Sequence, residues 1–319
     1  MIGLLLIIRK NNYSVNLGLI GAGKWGTNYI RLIQNMSEIN LCAISTKNNN
    51  YSNYQSTFSN GLKYYNSWKE ICNIKNLNGI IIATPPDKHI EIATYAINND
   101  LPVLIEKPLS LDIDEANEFY KKIINKKAKA MVNFIHQFNP IYLEMKNQIK
   151  NMGGIKSIES IGGDWGPFRI DTPPLWDWGC HDIAMSLDLI ERIPKRLSKE
   201  IIKGEQKHLF PKSQPPQNVK ILLEFSNNIN AKILVGNLMK IKRRYIRINY
   251  ENAFIEFDDI KKLLSVTNSS GTRKIEKIPN MHISPLESVI RHFIELIING
   301  NNGNIDLAVK VTEILSRLN

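Results

Sequence analysis

Cysteine is scarce in this sequence, which contains three of them, Cys42, Cys72 and Cys180. Their number is odd, their spacing is wide and no CxxC pair occurs. These features argue against a disulfide framework and against a zinc site, and they fit a reducing cytosol. We therefore expect a cytoplasmic protein that binds no metal.

Long hydrophobic runs are also missing. The apolar residues 1–8 are too few to span a bilayer, which needs roughly 20. A secretory signal would need positive charge before this stretch and a small-residue cleavage site after it, and neither is present. We expect residues 1–13 to be a short appendage and the protein to have no membrane partner.

Charge of one sign predominates, with a formal net charge of +11. This excess fits an anionic partner, but it also fits a general bias toward lysine, asparagine and isoleucine, which we favour. No stripe of lysine and arginine interleaved with aromatic residues occurs. A nucleic-acid partner is therefore disfavoured.

Short apolar strands alternate with helical patterns in the first half of the chain, which predicts a doubly wound parallel α/β sheet over residues 14–136. After that point the pattern changes to closely spaced alternating stretches, followed by two helices. This change predicts an α+β domain with an open, mostly antiparallel sheet over residues 137–319. The predicted strands of this domain are Val219–Phe225, Ile229–Val235, Tyr245–Tyr250, Ala253–Phe257 and Leu263–Thr267.

A glycine-rich segment follows the first predicted strand, Val15–Ile20, and opens a helix predicted over Lys24–Asn35. A GxGxxG pattern in this context is typical of a turn that binds the pyrophosphate of a dinucleotide, because glycine permits close backbone approach and the helix start offers free N–H groups. The residues expected to bind the cofactor here are Gly21, Ala22, Gly23, Lys24, Trp25 and Gly26.

The second strand ends in Ser45, Thr46 and Lys47, where an acidic residue usually binds the adenosine ribose. A carboxylate would repel a 2′-phosphate, whereas these side chains would hydrogen-bond and neutralise it. NADP is therefore favoured over NAD, although Lys47 also fits a solvated surface lysine.

Two later strand ends carry further candidates for the same site. The strand Gly79–Ala83 leads into a helix, and the run Val103–Ile105 is followed by Glu106-Lys107-Pro108. Ligands bind at the carboxyl ends of the strands in such sheets, and Lys107 is a charged residue at one of these ends. Lys107 is therefore the first candidate for chemistry. His89 also fits a purely structural hydrogen-bonding role. The residues expected to line the cofactor are Ala83, Thr84, Pro85, His89, Glu106 and Lys107.

A carboxylate and an imidazole, Asp177 and His181, lie four residues apart and share one face if the segment is helical. Such a pair suits general acid–base catalysis, because the carboxylate orients the ring. Taken alone, the pair equally fits the surface of a helix start. The basic cluster Lys240–Arg244 fits either a phosphate contact in a nucleotide sugar or a solvated strand edge.

These motifs in this order resemble the Gfo/Idh/MocA family, which includes glucose–fructose oxidoreductase and inositol 2-dehydrogenase. The resemblance rests on Gly21–Gly26, the segment from Thr84 to His89, Glu106-Lys107-Pro108, Phe138-Asn139-Pro140 and the segment from Asp177 to His181. It implies a Rossmann domain followed by an open-sheet domain, and NAD(P)-dependent oxidation or reduction of a sugar, nucleotide sugar or cyclitol. It also implies a homodimer or homotetramer.

The same resemblance implies that Lys107, Asp177 and His181 are catalytic. Two residues depart from the family pattern: Cys180 stands where many relatives have proline, and the ribose-binding acid is absent. Two alternative functions stay open, a non-catalytic NADP-binding sensor or corepressor, and a carbonyl or imine reductase of the same family.

Overall fold

The computed structural model of the protein describes residues 14–47, 61–150, 152–169, 172–204, 216–300 and 303–319. The expected appendage at residues 1–13 lies outside these ranges. Two compact units are present. The first comprises the described residues up to Asn133 together with Leu286–Val309, and the second comprises Phe134–Pro285 and Lys310–Asn319.

A six-stranded parallel sheet forms the centre of the first unit, as predicted. Apart from the edge strand Lys63–Tyr65, which has no buried residue, its strands are short, largely apolar runs and are mostly buried. The sheet order is β3-β2-β1-β4-β5-β6, for strands β1 (Val15–Ile20), β2 (Ile39–Ser45), β3 (Lys63–Tyr65), β4 (Gly79–Ile82), β5 (Val103–Glu106) and β6 (Ala130–Asn133).

Within the described residues, helices connect β1 to β2 and each strand from β3 onward to the next, since a parallel pair needs a crossover. They are α1 (Gly26–Ile33), α2 (Trp68–Cys72), α3 (His89–Asn98) and α4 (Ile113–Lys126). The first helix begins two residues later than predicted, because Lys24 and Trp25 still belong to the turn that precedes it.

The second unit contains the helices α5 (Pro140–Ile149) and α6 (Pro174–Ile190) and an eight-stranded sheet. The sheet is mostly antiparallel, as predicted, with one parallel pair between β7 and β10. Its order is β14-β13-β12-β11-β7-β10-β9-β8, for strands β7 (Ser157–Trp165), β8 (Arg196–Lys203), β9 (Gln217–Glu224), β10 (Asn230–Gly236), β11 (Leu238–Asn249), β12 (Ala253–Asp258), β13 (Leu263–Asn268) and β14 (Gly271–Lys274).

Two helices end the chain, α7 (Pro285–Asn299) and α8 (Ile305–Leu318). Although it follows the second sheet in the sequence, α7 packs on the first unit: a Cβ on Gly79 of β4 would lie 2.9 Å from Cζ of Phe293. The first unit is therefore discontinuous, in contrast to the continuous boundary expected at residue 136. No helix within the described ranges is both long and apolar enough to cross a membrane.

Candidate functional site

The glycine turn lies at the point where the strand order reverses, since β1 is flanked by β2 on one side and β4 on the other. Ligands bind at such switch points in open parallel sheets. Gly21 has φ +94°, and a Cβ there would lie 2.5 Å from the carbonyl oxygen of Ala83, at the end of β4. Glycine is therefore required for the turn to pass this close to the neighbouring strand.

The other two glycines of the turn differ in the space around them. A Cβ on Gly26 would lie 2.0 Å from the carbonyl oxygen of Gly21, so this glycine allows the helix to begin against the turn. A Cβ on Gly23 would meet no atom within 4 Å. The space beside Gly23 is open, as expected where a backbone must approach a pyrophosphate.

The start of α1 follows this open space in the chain, and the N–H groups of Thr27 and Asn28 are bonded to the carbonyl oxygens of Gly23 and Trp25. The helix has no side-chain cap and no acidic residue in its first turn. An uncapped helix start carries partial positive charge and favours an anion. The residues of the turn therefore fit the pyrophosphate of NAD or NADP.

The end of β2 is joined to the same turn, because the backbone N–H of Gly21 donates to the carbonyl oxygen of Ser45 at 2.8 Å. Ser45 is buried, Thr46 is half-buried and Lys47 is exposed. These are the positions at which a ribose-binding carboxylate would stand, and none of them is acidic.

His89 and Thr84 occupy the end of β4 and the start of α3. His89 is fully buried, and its two ring nitrogens lie 2.9 Å from the carbonyl oxygen of Thr84 and 2.8 Å from that of Pro108. Burial lowers the pKa of His89, and the two carbonyl oxygens oppose that shift. Since the ring is enclosed, we revise its expected role from contacting the cofactor to positioning these two loops. Thr84 Oγ1 is a buried polar atom that lacks a partner among the described residues.

Glu106, the last residue of β5, is a buried carboxylate. Its Oε1 atom accepts hydrogen bonds from Tyr29 Oη at 2.6 Å, from Asn133 Nδ2 at 2.7 Å and from the indole Nε1 of Trp25. Burial raises the pKa of Glu106, while these donors and the charge of Lys107 oppose the shift. Glu106 thus ties the glycine turn, through Trp25, to the strand that precedes Lys107.

Lys107 follows at the carboxyl end of β5, half-buried, with a cis peptide bond to Pro108. The expected cofactor residues of the first unit therefore all lie at the carboxyl ends of β1, β2, β4 and β5, which form one edge of the sheet. Tyr29 and Asn133 belong to this edge as well and were not predicted. No local sequence pattern marks these two residues, because each contacts Glu106 only after the sheet has folded.

The second unit carries the other two predicted catalytic residues on α6. Asp177 and His181 lie on this helix, as predicted, and both are largely buried at 8% and 6% exposure. This burial excludes the alternative of a solvated pair at a helix start. Arg169 Nη1 lies 3.4 Å from Asp177 Oδ1, so the carboxylate faces a cation from the preceding loop.

A second histidine, His136, lies against His181. The two ring centroids are 4.7 Å apart and the ring planes meet at 77°, an edge-to-face arrangement. His136 is half-buried and follows β6 by three residues. It was not predicted, although a histidine just beyond a strand end was a signal that could have been weighed.

The residue after His181 anchors α6 to the sheet beneath it. Asp182 is fully buried, and its Oδ2 lies 2.6 Å from Arg244 Nη1. Its Oδ1 accepts a hydrogen bond from Ser160 of β7. A Cβ on Gly162 would lie 2.6 Å from the same Arg244 nitrogen, so this glycine leaves room for the guanidinium.

Arg244 must therefore be removed from the basic cluster Lys240–Arg244, because its buried guanidinium pairs with Asp182 and is neither a free phosphate ligand nor part of a solvated edge. The register of β11 against β7 shifts between Leu238 and Arg243. This shift leaves residues 240–243 exposed and turns Arg244 inward.

The fold and the glycine turn define the first unit as the nucleotide-binding domain of an oxidoreductase. Residues 15–134 match the family model described as an oxidoreductase family with an NAD-binding Rossmann fold. Residues 15–134 are therefore a Rossmann domain of the Gfo/Idh/MocA type.

Known relatives agree with this assignment. The rhizopine catabolism protein MocA of Rhizobium meliloti is 24% identical over a segment covering 69% of this chain and 70% of that protein. A solved structure from Magnetospirillum magnetotacticum MS-1 is 27% identical, with a TM-score of 0.83 over 96% of this chain and 100% of the other. The scyllo-inositol dehydrogenase of Lactobacillus casei, solved with NAD(H) and scyllo-inositol, is 15% identical and shares the fold, with a TM-score of 0.81 over 96% of each chain.

Proposed function

We propose that the protein transfers a hydride between a nicotinamide cofactor and a ring hydroxyl or keto group of a sugar, nucleotide sugar or cyclitol. The observation that carries this proposal is that one chain holds both an open glycine cradle at Gly23 and a buried carboxylate–imidazole pair, Asp177 and His181. The first suits a dinucleotide and the second suits proton transfer.

NADP or NAD, when bound to the glycine turn, supplies the hydride acceptor or donor. In the oxidative direction His181 accepts the proton of the substrate hydroxyl, and in the reductive direction it returns a proton to the keto oxygen. We assign to Lys107 the role of a hydrogen-bond donor that stabilises negative charge developing during the reaction. Asp177 is the carboxylate that we propose orients His181, and Arg169 Nη1 lies 3.4 Å from its Oδ1.

The cofactor we propose is NADP. The end of β2 lies against the glycine turn through the Ser45–Gly21 hydrogen bond, and it carries no carboxylate. We propose Lys47 as the cation that neutralises a 2′-phosphate. A Lys47→Glu substitution should weaken NADP binding by about tenfold, since it replaces a favourable charge with an unfavourable one. NAD binding should stay within about twofold of the wild type.

The main experiment is an absorbance panel that follows reduced nicotinamide with NAD and NADP against free sugars, inositols, sugar acids and nucleotide sugars. With an active substrate, Lys107→Ala and His181→Ala should each lower kcat by about 10²–10⁴-fold while cofactor still binds. Lys121→Ala, an exposed lysine of α4, is the matched control. Full turnover by Lys107→Ala would disprove its assigned role.

The panel also decides between the open alternatives. Cofactor binding without turnover of any hydroxyl or carbonyl substrate would indicate a sensor or corepressor. Turnover of carbonyl or imine substrates alone would indicate a reductase. A cytoplasmic location and a homodimeric or homotetrameric state remain predictions. Cell fractionation tests the location, and light scattering on the purified protein tests the oligomeric state.

A further inference from the structure

The hydrogen bond between Trp25 and Glu106 joins two parts of the first unit that are far apart in the sequence. Trp25 belongs to the glycine turn after β1, and Glu106 ends β5. In the sheet β4 lies between these strands. Neighbouring strands are about 4.8 Å apart, so the contact spans about 10 Å across the sheet edge. The indole of Trp25 makes this bridge with the donor at the edge of its ring.

The carboxylate that receives this bond is costly to bury. A buried charge needs several donors to offset its lost hydration. Tyr29 of α1 and Asn133 of β6 supply two of them, at 2.6 and 2.7 Å, and Asn133 also donates to Tyr29 Oη at 2.8 Å. The two donors are themselves fully or almost fully buried. Trp25 differs, because it is 40% exposed and lies in a turn rather than in the core.

All three donors converge on the same atom, Oε1. Tyr29 and Asn133 hold this oxygen in the buried interior. The indole of Trp25 donates to it from the turn at the sheet edge. At the start of this turn Gly21 is bonded to Ser45 and lies close to Ala83, whereas Gly23 stands in open space. The indole supplies a further fixed point for the turn.

We propose that Glu106 and Trp25 form a positioning pair that holds the glycine turn in its cofactor-binding shape. The proposal rests on the proposed cofactor site and adds a dependence of that site on a strand end two positions away in the sheet. It also means that the shape of the glycine turn depends on Glu106, the carboxylate next to Lys107. A substitution at Glu106 would alter the pyrophosphate-binding turn through Trp25, without either side chain touching the cofactor.

The experiment measures the Kd of NADP and of NAD by calorimetry for the wild type, Trp25→Phe, Glu106→Gln and the double variant. Trp25→Phe keeps the ring and removes the donor, and Glu106→Gln keeps the volume and removes the charge. Each should raise Kd by about tenfold, the loss expected for one hydrogen bond to a charged group. The Kd of the double variant should be no higher than that of the single variant with the higher Kd, because both changes break the same hydrogen bond.

Trp68→Phe is the matched control, since Trp68 packs against Tyr95 and its ring centroid lies 5.2 Å from that ring. Its Kd should stay within about twofold of the wild type. A purely structural role for the pair would lower Tm and leave the Kd of the folded protein unchanged, and that result would overturn the inference. Independent effects that multiply to about hundredfold in the double variant would overturn it as well. If Glu106→Gln fails to fold, Trp25→Phe alone decides.

These outcomes separate this inference from the proposed function. A wild-type protein that binds neither nucleotide overturns both. If the wild type binds cofactor and turns over substrate, and Trp25→Phe does both equally well, the positioning pair is overturned and the proposed function stands.

Discussion

His136 lies edge-on against His181, with the two ring centroids 4.7 Å apart. An aromatic contact of this kind contributes about 0.5–1.5 kcal/mol and fixes the ring planes relative to each other. His136 is therefore in place to set the orientation of the proposed acid–base group.

From this contact we expect His136→Ala to lower kcat/KM by about 2–10-fold, and His136→Phe to recover most of that loss because it restores the edge contact. Steady-state kinetics measures both. His282→Ala, an exposed histidine of the second unit, should change nothing. If His136→Phe is as impaired as His136→Ala, the ring nitrogens rather than the packing are what His136 contributes.

Alanine substitution should affect stability at Gly26 and cofactor affinity at Gly23. Gly26→Ala places a Cβ 2.0 Å from a backbone oxygen, so it should lower the free energy of unfolding by about 1–3 kcal/mol. Gly23→Ala meets nothing within 4 Å and should leave stability unchanged. It should instead raise the Kd of the cofactor by about tenfold or more, because its methyl group occupies the pyrophosphate space. Urea unfolding and cofactor titration measure the two effects, and a Gly23→Ala variant with normal affinity would place the pyrophosphate elsewhere.

The buried ion pair between Asp182 and Arg244 should be costly to break from one side. Arg244→Met leaves a carboxylate uncompensated in the interior, and we expect a loss of about 3–5 kcal/mol in the free energy of unfolding. The exposed pair Lys220–Glu200, with N and O 3.1 Å apart, is the control, and Lys220→Met should cost about 0–1 kcal/mol. Equal effects in urea unfolding would show that Asp182 is not held by Arg244.

The raised pKa of Glu106 predicts a pH dependence of stability. Burial is the main cause of the shift, and the folded state therefore holds the proton more tightly than the unfolded state. Between the ordinary carboxyl pKa and the raised one the folded state binds more protons, so stability falls as pH rises through this window. As pH rises through this range, the Tm of the wild type should fall relative to that of Glu106→Gln. Below this range the difference between the two Tm values should stay constant. A difference that does not change with pH would contradict the shift.

Much of the first unit could be predicted because its signals are local. The strands around Val15–Ile20 and Val103–Ile105 are short apolar runs, and the glycine turn between strand and helix has a fixed pattern. The second sheet was predicted in part. β7, Ser157–Trp165, was missed because two glycines interrupt its alternation, and β8, Arg196–Lys203, was missed because most of its residues are exposed.

The residues that can do chemistry are recognisable from the sequence alone: a glycine turn, a lysine at a strand tip, and an aspartate and a histidine one helical turn apart. Tertiary structure decided how they are held. The donors of Glu106 include Tyr29 and Trp25, 77 and 81 positions away, and Arg244 meets Asp182 across 62 positions. Periodicity reports only which face of an element is buried. The partner of a buried charge depends on which elements meet, and Arg244 faces the core after an irregularity in which Leu238 to Arg243 of β11 oppose only Trp165 to Gly163 of β7.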